Sequence, residues 1–142
     1  MRRTDRGFTL VEILIVVVIL GILSALVVPQ FASATQEASE KSAVHEVQRL
    51  RKAVEVYLIR HQNVLPDVAE GDQTWGGLVT SGDYLKTAPF NPYIGNENAG
   101  IIVFGDVPDD TYQTDHGWIY DPATGDVWAG GFDADDTPLP KD

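Results

Sequence analysis

Residues 6–29 read RGFTLVEILIVVVILGILSALVVP, and this stretch decides how the chain is built. Between Phe8 and Val28 the only ionisable side chain is Glu12, and fifteen of the residues are Leu, Ile or Val. A helix needs about 20 such residues at ~1.5 Å rise to cross the hydrocarbon of a bilayer. Each aliphatic side chain favours insertion by roughly 0.3–0.6 kcal/mol, whereas a charge at mid-membrane costs ~2.5–3.5 kcal/mol and less near an end. Insertion outweighs the single carboxylate. The run is also too long for a secretory signal peptide, whose apolar part is about 7–15 residues. Glu12 stands fifth in this run, and a carboxylate in such a setting needs a partner.

The flank before the run, MRRTDRG, sets Arg2, Arg3 and Arg6 against Asp5. By the positive-inside rule this end stays in the cytoplasm and the rest is sent outward. An ordinary single-pass anchor satisfies length and charge alone. Two details point further: the basic leader ends in Arg6-Gly7 directly before the run, and the carboxylate follows closely behind it. The stretch Arg6-Gly7-Phe8-Thr9-Leu10-Val11-Glu12 is similar to the processing site of type IV pilins and type II secretion pseudopilins. That resemblance implies cleavage between Gly7 and Phe8 by a prepilin peptidase, with N-methylation of Phe8. It also implies an assembly role for Glu12, and for Gly21 and Pro29, which occupy the family's helix-loosening positions. Cleavage creates an amine at Phe8 in an apolar setting, which the Glu12 carboxylate of a neighbouring subunit can neutralise while fixing register.

The implied function is that of a structural subunit of a pilus-like filament, and the short cysteine-free head favours a type II secretion pseudopilin over a surface pilin. Implied partners are further copies of the chain in a helical homo-oligomer, the peptidase, an inner-membrane assembly platform, minor pilin-like subunits and membrane lipid. The implied location is the bacterial inner membrane, single-pass, with the N-terminus cytoplasmic and the head extracytoplasmic, before extraction into a periplasmic or surface filament.

The expected organisation is a leader over residues 1–7, a transmembrane and polymerisation helix over 8–29, an amphipathic helix over 30–62 and a small head over 63–142. After Pro29 the sequence is rich in helix formers, without Gly or Pro, to about Arg60. Val44, Val47, Leu50, Val54, Tyr57 and Leu58 recur at three- to four-residue spacing and form one apolar stripe, while Glu37 with Lys41 and Arg51 with Glu55 read as exposed pairs one turn apart. Asn63 and Pro66 stop the helix and open a polar linker through Asp72. A short helix follows in TWGGLVTSGDYLK, then a proline-bearing loop lying over the sheet edge. Strands are expected at Ile101 to Phe104, Gly117 to Tyr120 and Asp126 to Ala129, the last two joined by the DPATG turn. The fold class is therefore α+β, a long N-terminal helix packed on a small antiparallel sheet.

The formal net charge is -11, and beyond His61 only Lys86 and Lys141 oppose fifteen acidic residues. Such a head repels nucleic acid. There is no cysteine, so disulfides, thiolate zinc sites and cysteine nucleophiles are excluded. His45, His61 and His116 show no metal-ligand spacing, and no nucleophile elbow, phosphate loop or dinucleotide motif is present, so an enzyme is not expected. Asp126, Asp133, Asp135 and Asp136 cluster in and after the last hairpin. Oxygen-rich clusters suit calcium, and the resemblance implies a calcium in a C-terminal loop; the same residues also read as a solvated acidic run lacking the glycine and closing glutamate of an EF-hand. Trp118, Tyr120 and Trp128 read as strand packing. A rival to the filament reading is a monomeric membrane-tethered binding module using Trp75, Tyr84 or Trp118.

Overall fold

A computed structural model describes residues 7–95 and 97–141; the basic leader expected over residues 1–6 lies outside the described residues. The first element is α1, Leu10–Arg60, which runs through Pro29. Proline has no N–H, so the Ala25 carbonyl lacks its usual intrahelical donor. At the other end Asn63 N donates to the Leu58 carbonyl at 2.9 Å, with Gln62 and Asn63 at φ 56° and 65°. That is the left-handed closure by which helices satisfy their last carbonyls.

The chain divides into two units, Met1–Glu37 and Ala38–Asp142, and α1 contributes to both. In the second unit the C-terminal part of α1 buries Ala43, Val47, Leu50, Ala53 and Val54, with Val44, Tyr57 and Leu58 packed against the same core. This is the apolar stripe read from the spacing. Each fully buried Val or Leu contributes about 1.5–3 kcal/mol.

Against the stripe lies a four-stranded sheet in the order β1-β2-β3-β4, formed by Gly71–Asp72, Ile101–Phe104, Trp118–Tyr120 and Val127–Ala129. The three longer strands fall where β-branched and aromatic residues placed them. The outer pairs are antiparallel, but β2 and β3 pair parallel, with Ile102 opposite Trp118 and Phe104 opposite Tyr120. The expected all-antiparallel sheet is thus corrected to a mixed one. The physical reason is the connection: a tight turn reverses a strand, whereas residues 105–117 are long enough to return the chain to its starting end, which takes about a dozen residues. The polar stretch through Asp72 likewise supplies an edge strand, β1, rather than linker alone.

β3 is buried on both faces, Trp118, Ile119 and Tyr120 each being inaccessible. Trp75 meets Trp118 and Tyr120 edge-on, at ring centroid distances of 6.2 and 6.4 Å. The DPATG turn forms as expected: the Asp121 side chain accepts from Ala123 N and Thr124 Oγ1, both at 2.8 Å, and Gly125 takes φ 83°. A Cβ at Gly125 would also lie 2.5 Å from Leu65, so the position excludes a side chain twice over.

The proline-bearing loop is tied down by one residue that sequence reasoning passed over. Asn91 is fully buried. Its amide donates to the Gly117 and Gly130 carbonyls at 2.9 and 3.0 Å, its Oδ1 accepts from Tyr93 N at 3.0 Å, and its own N–H donates to Ala99 at 3.0 Å. One side chain therefore joins the loop to the chain entering β3 and the chain leaving β4. The short helix expected after the linker is α2, Gly77–Thr80.

Candidate processing and assembly site

In the first unit, Gly7, Phe8 and Thr9 precede α1, and Phe8 is 84 % exposed. Thr9 is the N-cap. Its N–H donates to Glu12 Oε2 at 2.8 Å, its hydroxyl to the same oxygen at 3.0 Å, and Glu12 N donates back to Thr9 Oγ1 at 3.3 Å. This reciprocal pair is a capping box, in which a Thr and the Glu three residues on each satisfy an otherwise orphan backbone donor. The Thr-x-x-Glu spacing of such a box is legible in the sequence. Glu12 therefore already has a hydrogen-bond partner within the chain, Thr9. Among the described residues its hydrogen bonds all use Oε2, which leaves Oε1 open.

Behind this cap the helix is apolar on every side and exposed among the described residues. Leu10, Ile13, Leu14, Val17, Ile19, Leu23 and Val28 are between 50 % and 83 % exposed. The helix is long and apolar enough to cross a membrane by length and composition, and none of that apolar window is buried within the chain. Gly7 and Gly21 both stand in open space. A Cβ added to either would meet nothing within 4 Å among the described residues. At Gly21 the missing side chain weakens the helix by roughly 0.5–1 kcal/mol relative to alanine.

The other expected sites resolve differently. Trp75 and Trp118 are fully buried, so they cannot form the ligand platform of a tethered binding module; Tyr84 packs against the same core. Of the acidic residues, Asp126 accepts from Thr124 Oγ1 at 2.8 Å, and Asp133 Oδ1 accepts from Asp135 N and Thr137 N, both at 2.9 Å. Asp136 is gripped by Arg51, whose Nη1 and Nη2 lie 2.6 and 2.8 Å from its two oxygens. Arg51 was expected to pair with Glu55 on an exposed face; its guanidinium instead reaches the tail. No three His, Asp or Glu side chains among the described residues are arranged to hold a metal. As placed, these four aspartates do not form the cage of about 6–8 oxygens that calcium takes.

Three further groups form a half-buried cluster. Asp109 accepts from Gln113 Nε2 and Gly131 N, both at 2.7 Å, and faces His116 Nε2 at 3.3 Å. Burial alone would raise the Asp109 pKa, but the hydrogen bonds from His116, Gly131 and Gln113, with the His116 charge, hold it below its ordinary value.

Comparison with known proteins fits the geometry of the N-terminal unit. Residues 2–28 match a family profile described as the prokaryotic N-terminal methylation motif. Over 133 residues, 92 % of this chain and 83 % of the relative, the sequence is 32 % identical to the type II secretion system core protein G of Vibrio cholerae serotype O1. The chain belongs to the type II secretion system core protein G family. Core protein G of Aeromonas hydrophila is 32 % identical over 101 residues, covering 65 % of this chain and 70 % of that protein. Core protein G of Pseudomonas aeruginosa is 48 % identical over 56 residues, 39 % of each chain. No solved structure matches.

Proposed function

We propose that this chain is a pseudopilin, a structural subunit of the filament of a type II secretion system. The observation that carries the reading is the capped, all-round apolar helix of the first unit, whose apolar window is not buried among the described residues. A helix apolar on every side has to be covered by lipid or by other helices. Lipid covers it in the inner membrane, with the leader cytoplasmic and the head outside. Other copies cover it in the filament, where the same surface becomes a subunit contact.

The details around the junction support processing between Gly7 and Phe8. A side chain at position 7 would meet nothing among the described residues, so the glycine there suits an external active site, that of a prepilin peptidase. Gly7, Phe8 and Thr9 are exposed ahead of α1, which gives such an enzyme access. The cut turns Phe8 into an amine terminus, subsequently methylated, one residue from the capping box. Glu12 then has two tasks that its two oxygens can divide: Oε2 caps its own helix, and Oε1 receives the Phe8 amine of the next subunit. Gly21, likewise in open space, and Pro29, which removes a backbone donor, loosen the helix so that it can adapt on leaving the bilayer. The inner-membrane assembly platform and minor pilin-like subunits are the further partners of this reading.

The test is the mass of the membrane-extracted protein. The proposal requires a mature chain that begins at methylated Phe8; a chain that retains residues 1–7 in cells carrying an active prepilin peptidase sinks it.

A further inference from the structure

The acidic tail invites a cation, and the structure supplies one from within the chain. Arg51, on the part of α1 that packs into the head, makes three directed contacts. Two are the parallel bonds to Asp136, at 2.6 and 2.8 Å. The third runs from Nε to the Val127 carbonyl at 2.9 Å. That carbonyl belongs to β4, the last strand of the sheet. Asp121 donates to Asp126, and Gly130 to Gly117, so the hydrogen-bonded positions alternate and leave Val127 directed away from β3. Arg51 therefore closes a free strand edge with one nitrogen and holds the tail with two.

The tail is built to receive this grip. Asp133 Oδ1 gathers the amides of Asp135 and Thr137, Asp133 N donates to the Thr137 carbonyl at 3.0 Å, and Asp136 N donates to the Asp133 carbonyl at 3.2 Å. Asp136 sits at φ 57° within this tight turn, which aims its carboxylate at the helix. Its side chain is 17 % exposed and that of Arg51 36 %. A planar guanidinium matches a carboxylate fork in a way that a lysine ammonium cannot. With both Asp136 oxygens taken by Arg51 and Asp133 Oδ1 engaged by two amides, a divalent ion that used Asp136 would have to compete with a fixed positive charge for it.

We propose that Arg51 is the resident cation of the C-terminal turn, locking the tail and the β4 edge to α1, so that the stability of the head does not depend on calcium. Thermal unfolding of the full chain in detergent micelles, in excess EGTA and in millimolar calcium, tests this directly. The expected result is the same Tm in both. A calcium-dependent rise of more than about 5 °C, the order of shift given by a site held well above its Kd, overturns the proposal. Arg51→Met is expected to lower Tm by at least about 4 °C in both media; an unchanged Tm also overturns it. Should Arg51→Met fail to fold, Arg51→Lys keeps the charge and loses the fork. Its Tm is expected to fall with no response to calcium, and either a wild-type Tm or a calcium-restored one counts against the lock.

Discussion

Thr9 and Glu12 cap each other across the first turn of α1, the Thr9 amide donating to Glu12 Oε2 at 2.8 Å and the Glu12 amide donating back to Thr9 Oγ1 at 3.3 Å. This gives Glu12 a role in the single chain beside its proposed one in the filament, and substitutions separate the two. Glutamine keeps the capping geometry but carries no charge; alanine loses both. If the charge is what assembly needs, Glu12→Gln and Glu12→Ala are both cleaved normally and both give at least about tenfold fewer filaments, the loss expected when a buried ion pair loses one partner. Immunoblots of the processed form with filament counts by electron microscopy read this out. Wild-type filament numbers from Glu12→Gln would reduce Glu12 to a helix cap.

Asn91 fastens its loop to the chain on either side of the β3 and β4 pair, through bonds of 2.9 and 3.0 Å to Gly117 and Gly130. Asn91→Ala leaves both carbonyls and the Tyr93 amide without that partner in a site inaccessible to solvent. A cost of about 3 kcal/mol follows, since each abandoned buried group costs roughly 1–3 kcal/mol. Thermal unfolding followed by circular dichroism is expected to show a Tm lower by more than about 10 °C. A drop under about 4 °C means that the loop finds other anchors.

Tyr120 presents the opposite case. Its hydroxyl is buried with no hydrogen-bond partner among the described residues, as is Trp75 Nε1. Burial, reinforced by the nearby Asp121 charge, pushes its pKa up to about 12, so the group is neutral and unsatisfied at any ordinary pH. Tyr120→Phe removes the desolvated oxygen and keeps the ring against Trp75 and Phe104. Tm is expected to stay level or to rise by up to about 4 °C, corresponding to roughly 1 kcal/mol. A loss of more than about 1 kcal/mol in urea unfolding would show that the hydroxyl has a partner after all.

These residues also mark where sequence reasoning ended. The membrane-length helix was legible because composition alone carries the signal, and the stripe from Val44 to Leu58 because its period is local. The DPATG turn was legible because Gly125 follows Asp121 at the spacing such turns require. Gly71–Asp72 was not, since a two-residue strand with no β-branched side chain exists only through its pairing with Ile101 and Ile102. The parallel pairing of β2 and β3 was missed because direction is set by the connection, and strand composition does not report it. Arg51 has Glu55 a turn away in sequence and Asp136 85 residues away in the chain. A local rule picks the first; folding brings up the second with better geometry. Asn91 looked like one more polar residue between two prolines until its partners came from three separate segments.

Asp109 sets the expected acid response of the head. Its pKa is held below the ordinary value: burial opposes this, and the bonds from His116, Gly131 and Gln113 outweigh it. A carboxylate with a depressed folded-state pKa contributes stability that is fully present above its unfolded pKa, near ~3.9, and is lost as pH falls through the folded value. The wild-type head is therefore expected to lose stability below about pH 4, with Asp109 supplying part of the slope. Asp109→Asn cannot titrate and still offers Gly131 a carbonyl oxygen, but it loses the charge facing His116. It is expected to be less stable than wild type by about 1–2 kcal/mol at neutral pH, with a shallower decline under acid. Urea unfolding of both proteins across the acid range measures the two slopes; parallel curves below about pH 4 would remove Asp109 from the acid response and leave it only a hydrogen-bonding part in the cluster.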